Sequence, residues 1–142
     1  MNNYEYAHVF ERLAIKIVEA QCGYKLNDEK SRTTQATRDY GVDAIIYFAD
    51  RTPEFSTIEA KLRKPSCTLA LKDIASSILF FLVRNGNEHF IVSNVYITSG
   101  TIQTIKILNL QSTSKIYYIT GEETFEILKN IVDRLQEPQE KN

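Results

Sequence analysis

Asp43 lies among apolar residues, Val42, Ala44, Ile45 and Ile46, where a charge is costly unless something pairs with it. Further along, Glu59 and Lys61 stand two positions apart in Phe55 to Leu62, a segment of strand-like composition. On a strand, that spacing sends both side chains to one sheet face, roughly 7 Å apart along the chain, and leaves Ile58, Ala60 and Leu62 for the other. If the segment bearing Asp43 pairs with this strand, two carboxylates and an ammonium share a polar face. A magnesium-dependent phosphodiester hydrolase needs that donor set. The acids hold the cation, which polarises the phosphate and acidifies a bound water. The lysine stabilises charge developing on the phosphate or positions the attacking water, and the flanking acids keep it protonated.

A Glu-x-Lys triplet carries little weight alone. Composition places one in roughly every second chain of this length, and acid–base pairs also stabilise ordinary sheets. The weight comes from the conjunction of strand context, an acid in the preceding strand, and a basic continuation through Arg63 and Lys64. Other candidates are weaker. His8 and His89 have no His or Cys at ligand spacing and read as surface or cap residues. Ser76, Ser77 and Ser99 lack a matching His and Asp, so serine-hydrolase chemistry is not supported. No Gly-rich phosphate loop is present. Tyr117 and Tyr118 read as a sheet residue and its exposed neighbour, not as a base-stacking platform.

With 142 residues, 43% hydrophobic and 25% charged, at a formal net charge of -1, the chain has the make-up of a single folded domain. We place that domain at residues 1–135 and read 136–142, polar and containing Pro138, as a tail or linker. Five glycines and three prolines are too few for a collagenous or linker-like chain. Two cysteines, Cys22 and Cys67, make neither a disulfide scaffold nor a zinc ribbon. The longest apolar run, Ile78 to Val83, is far below a membrane span, and the N-terminus has no basic-then-apolar signal, so the expectation is a cytoplasmic protein without membrane contact. The near-neutral charge argues against bulk coating of nucleic acid. Locally, Lys61, Arg63 and Lys64, with Lys25, Lys30, Arg32 and Arg38 before Gly41, could rim an acidic site; a solvated face explains them equally well.

Positioning the acids and the lysine requires a scaffold, and the patterning supplies one. Tyr6, Phe10, Leu13 and Ile17, widened by Ala14 and Val18, predict a first helix that Gly23 stops. Residues 27–38 read as a loop, Gly41 to Phe48 as a strand, Asp50 to Pro53 as a turn, and Phe55 to Leu62 as the paired strand. Leu71, Ile74, Ala75, Ile78 and Leu82 predict a long helix covering one sheet face, closed at Asn85, Gly86 and Asn87. Asn94 to Thr98 reads as a strand, Ile102, Ile105, Ile107 and Leu108 as a helix, and Lys115 to Ile119 as a strand. Thr120 and Glu123 have capping-box spacing at the start of a last helix carrying Phe125, Ile127, Leu128, Ile131, Val132 and Leu135. The overall order, α-β-β-β-α-β and then α-β-α, indicates an α/β fold with a mixed β-sheet core flanked by helices.

The run Asp39, Tyr40, Gly41, Val42, Asp43, followed by Ile58, Glu59, Ala60, Lys61, resembles the D-x-G-x-D... E-x-K core of the PD-(D/E)xK nucleases, and most nearly their Mrr-like restriction endonuclease branch. Glu11 in the first helix, Gly23 with Tyr24, and Ile97, Thr98, Ser99, Gly100 fill further slots, so the resemblance covers roughly residues 5 to 135. It implies a restriction-endonuclease-like fold and a divalent-metal-dependent endonuclease of DNA, serving restriction or anti-phage defence. Asp43 and Glu59 would be metal ligands and Lys61 the catalytic lysine. Glu11 would approach from helix one to help a second ion, though a solvated charge paired with Lys16 or Arg12 is an equal reading. Asp39 would orient the turn at Gly41, and Arg38, Arg63 and Lys64 would meet nucleic acid.

The implied cofactor is Mg2+, with Mn2+ able to substitute. Many Mrr-like members carry Gln where this chain has Glu59, and the acidic form favours metal binding. Mrr-type enzymes also carry a separate DNA-binding domain, for which these residues leave no room. Target selection is therefore expected from a partner, a homodimer or a larger protein of which this is the N-terminal domain. A different class stays open, a catalytically silent module of the same fold that binds nucleic acid or serves assembly.

Overall fold

A computed structural model describes residues 3–23, 32–33, 42–47 and 55–137, with the backbone alone at 3, 4, 32 and 33. The elements are α1 (Asn3–Cys22), β1 (Arg32–Thr33), β2 (Ala44–Ile46), β3 (Ser56–Lys61), α2 (Leu71–Val83), β4 (Glu88–Ser93), α3 (Ser99–Gln111), β5 (Lys115–Ile119) and α4 (Glu122–Gln136). They form one mixed sheet in the order β1-β2-β3-β4-β5. Its first three strands are antiparallel, and β3, β4 and β5 run parallel. The α/β class and the three strands before the second helix follow the expected order, although the first of those strands falls in a segment that reads as a loop.

Parallel neighbours need crossover helices, and successive right-handed crossovers in one direction put those helices on the same face. Accordingly α2 and α3 share one side, packing Ile74, Ile78, Phe81 and Ile105 over Ile91 and Ile116. Helix α1 covers the opposite side with Phe10, Ala14, Ile17 and Val18 against Ala44, Ile46, Ile58, Phe90 and Val92, and α4 adds Ile127, Leu128 and Ile131. Burying each large side chain contributes about 1.5–3 kcal/mol. The two clusters fix strand parity. Ile58 and Ala60 of β3 face α1, so Thr57, Glu59 and Lys61 face α2.

Several expectations are corrected. The fourth strand occupies Glu88–Ser93, not Asn94 to Thr98. Strand β4 lies between two parallel neighbours and is covered on both sides, so it shows no polar alternation, and its Glu88, His89 and Ser93 interrupt the apolar signal. Within 94–98, Ile97 makes only an isolated bridge to Leu69, and Thr98 caps α3. Residues 32–33 of the presumed loop belong to β1. The Thr120–Glu123 capping box does not form. Thr120 is buried and Gly121 is the residue before α4, at φ 60°, where an added Cβ would meet the Tyr96 ring at 2.3 Å. Tyr6 and Leu13 are exposed, so the α1 stripe is narrower than its apolar residues suggest. At Gly23 the expectation holds, with φ 68° and its N–H bonded to Glu19 O at 3.0 Å.

Candidate active site

Strands β2 and β3 pair with Ala44 opposite Ile58, and Asp43 sits just before that ladder begins. Its N–H donates to Ile58 O at 2.8 Å, and its Oδ2 accepts the Ala60 N–H at 2.7 Å. The first acid is thereby attached to the peptide that joins Glu59 to Ala60. Glu59 is buried on the α2 side of β3, where Lys61 Nζ approaches its Oε1 at 3.2 Å and the Ser77 hydroxyl of α2 donates to Oε2. The Lys61 side chain is 24% exposed against 1% for Glu59, so the ammonium is the member of the pair that reaches solvent.

Electrostatics follow from this burial. Desolvation pushes the Asp43 carboxyl up to about 7; the charges of Glu11 and Glu59 add to the shift, while the Ala60 N–H and Lys61 oppose it. Desolvation also raises Glu59, against the pull of the Ser77 hydroxyl, Lys61 and Arg63. Two acids that resist ionisation beside one ammonium form a pocket that favours an added positive charge.

Of the other predicted site residues, Glu11 lies on α1 with its charge within reach of Asp43, and its Oε2 is 3.3 Å from His8 Nδ1. His8 also meets Arg12 Nη2, through Nε2 at 3.2 Å. Arg63 and Lys64 are exposed after β3, with the Arg63 backbone gripped by the Asn94 amide at 2.9 and 2.7 Å. Arg38 and Asp39, with Tyr24, Tyr40, Gly41, Lys25 and Lys30, lie outside the described residues.

The expectation about His89 is overturned, and Ser77 has a partner that its sequence spacing does not show. His89 is not a surface or cap residue. It is fully buried on β4, opposite Thr57 in register, stacked on Phe81 at 5.4 Å between ring centroids. Its Nδ1 lies 2.7 Å from Thr57 Oγ1, and its Nε2 lies 3.1 Å from Ser77 Oγ. Burial pulls the imidazole down to about 3, so it is neutral. Ser77 therefore does have a histidine partner. Serine-hydrolase chemistry still fails, because the hydroxyl is fully buried, points to Glu59, and its histidine is oriented by a threonine where a triad has an acid. The signal was present in the sequence. Ser77 stands in the helical stripe of Ile74, Ile78 and Phe81, as a polar residue at a core position.

Among the described residues, no three His, Cys, Asp or Glu side chains are gathered closely enough to hold a metal by themselves. Magnesium does not demand three. It takes one or two carboxylates and completes its shell with water and phosphate oxygens. Asp43 and Glu59 fit that pattern as hard oxygen donors whose buried charge a cation would relieve.

No protein-family model matches the sequence, and no curated protein matches it. Solved structures do. The chain is similar to the MspJI restriction endonuclease in complex with a 27-mer oligonucleotide, at TM-score 0.66 and 18% identity over 88% of this chain and 28% of that one. It is similar to AspBHI, a DNA modification-dependent restriction endonuclease, at TM-score 0.64 and 16% identity over 87% of this chain and 31% of that one. The fold is restriction-endonuclease-like. The chain is also similar to AF1548, a protein of unknown function, at TM-score 0.58 and 14% identity over 89% of this chain and 66% of that one. The chain spans less than a third of MspJI and of AspBHI. No described helix is long and apolar enough to cross a membrane.

Proposed function

We propose that this restriction-endonuclease-like domain is a divalent-metal-dependent nuclease of the Mrr-like kind, hydrolysing phosphodiester bonds with DNA as the favoured substrate. The observation that carries the reading is the Ala60 peptide. It holds Asp43 on one side of the β2–β3 pair while its two neighbours, Glu59 and Lys61, form an ion pair at 3.2 Å. Similarity to the MspJI and AspBHI restriction endonucleases supports DNA as the substrate class.

Asp43 and Glu59 would hold Mg2+, or Mn2+ in its place, and the cation would supply phosphate polarisation and an acidified water. Within the protein, Glu59 holds the Lys61 ammonium in place through their ion pair. The ammonium can then donate to a non-bridging phosphate oxygen as charge builds there, while burial keeps competing water away from Glu59. Exposed Arg63 and Lys64 would meet the backbone phosphates beside this point. Glu11, sensed by Asp43, is the candidate for a second ion. The much longer MspJI and AspBHI chains support a role as the effector domain of a larger restriction or anti-phage protein.

Cutting both strands of a duplex calls for two such sites, and we place the seam for a second copy on α2. There Leu79 and Val83 are 63% and 68% exposed beside a groove of about 320 Å³ shared with Ser76, Phe80 and Arg84. The test of function is incubation of plasmid DNA and of RNA with the protein plus magnesium or manganese. Cleavage that chelation stops supports the reading. Binding without cleavage under every metal would leave the silent-module reading.

A further inference from the structure

Ser77 has one hydroxyl proton and three polar neighbours. Ile74 O lies at 3.0 Å, His89 Nε2 at 3.1 Å, and Glu59 Oε2 within hydrogen-bonding contact. The Ile74 carbonyl lies within α2, where the helix ladder already supplies a donor. The carboxylate is the stronger acceptor, because a charge-assisted bond is roughly twice as strong as a neutral one. Once the proton goes to Glu59, the Ser77 oxygen can only accept from the histidine. His89 Nε2 must then carry hydrogen, and in a neutral ring Nδ1 is left as the acceptor, 2.7 Å from the Thr57 hydroxyl.

We propose that His89 is a positioning residue, locked as the Nε2–H tautomer, which compels Ser77 to donate to Glu59 and so fixes the orientation of the Glu59 carboxylate. The inference rests on the reading of Glu59 as part of a nuclease site. It adds a relay behind that site, Thr57 to His89 to Ser77 to Glu59, in which every hydrogen bond points the same way. The relay is closed in space. Thr57 and Glu59 face α2 from one strand, His89 stands opposite Thr57 on β4, and Ser77 returns the chain from α2. The opposite tautomer would make Nε2 an acceptor, draw the Ser77 proton toward the ring and leave Oε2 facing a hydroxyl lone pair. Phe81 stacks on the imidazole and leaves it little room to turn.

Long-range nitrogen–proton NMR on the wild-type protein reads the tautomer without any variant. Nε2 is expected with a pyrrole-type shift and Nδ1 with a pyridine-type shift across neutral pH; the reverse assignment overturns the proposal. His89→Phe keeps a ring against Phe81 and removes both nitrogens, and Ser77→Ala cuts the next link. Each is expected to weaken magnesium binding by about tenfold or more, the scale on which residues behind metal ligands act. The double variant should lose no more than the worse single one, because the two residues act in series.

His89→Gln can offer an amide donor to Ser77 and is expected to recover most of the affinity. Additive losses, or wild-type affinity in folded His89→Phe, would overturn the proposal. A wild-type chain that neither binds magnesium nor cuts would end the nuclease reading, and the tautomer measurement would still decide this one.

Discussion

The Asp43 side chain stands in for a backbone carbonyl, accepting at 2.7 Å the N–H of Ala60, the residue between Glu59 and Lys61. The strand pairing that builds the sheet thereby builds the site. Asp43→Asn keeps an oxygen acceptor for that N–H while removing the charge; Asp43→Ala leaves the N–H without it. Metal titration should lose its heat in both variants, while only the alanine form should lose order at the β2–β3 end.

The same acid sets a pH dependence. Its folded pKa is raised from 3.8 to about 7, so between these values the folded protein keeps a proton that the unfolded chain has released. Metal-free stability therefore falls as pH rises through that window, and the penalty is complete above it. Asp43→Asn should flatten this slope and melt higher than the metal-free parent at pH 8. Partial solvation trims the gain to about 1 kcal/mol, roughly 3 °C for a chain of this size. Melting curves at pH 5 and pH 8 in chelator check the sign; a parent that gains stability toward pH 8 contradicts it.

Arg63 and Lys64 lie exposed next to Lys61. Replacing both with alanine should weaken DNA binding about equally for all sequences and reduce the dependence of log affinity on log salt by about 1 for each phosphate no longer neutralised. Binding isotherms at three salt concentrations measure this. An unchanged slope would remove these two residues from the DNA-facing surface.

Leu79 and Val83 present apolar surface on the outer side of α2. Leu79→Lys with Val83→Lys should keep the fold, since both side chains point away from Ile74, Ile78 and Phe81, and should disrupt a dimer through that seam. Light scattering with and without DNA reports the state. A strict monomer that linearises plasmid in one step would contradict the pairing.

The scaffold was legible wherever local pattern and burial agree. The α1 stripe ends at Gly23, α2 closes at its Asn85–Gly86 turn, and β5 lies at Lys115–Ile119 as the sequence predicts. The Asp43, Glu59 and Lys61 grouping was legible because period-two alternation along β3 fixes which side chains share a face. Strand β4 was not, because a strand covered on both faces has no alternation to read. The burial of His89 and its contact with Ser77 were not legible for a related reason. Spacing along the chain says nothing about two polar side chains that meet across a helix–sheet interface, and each satisfies the other only once the tertiary structure brings them within 3.1 Å. Phe125, Val132 and Leu135 failed in the opposite sense. Helix α4 is amphipathic by pattern, yet it presses only Ile127, Leu128 and Ile131 against the core.

Plasmid cleavage by Lys61→Ala beside the parent, with magnesium affinity measured on the same samples, separates a lysine that acts in catalysis from one that only packs beside Glu59. In the proposed function the ammonium acts on the transition state and not on the metal. Lys61→Ala is therefore expected to lose at least about 100-fold in cleavage while keeping magnesium affinity and most DNA binding. Wild-type cleavage by Lys61→Ala and by Glu59→Ala alike would contradict the assignment of this site.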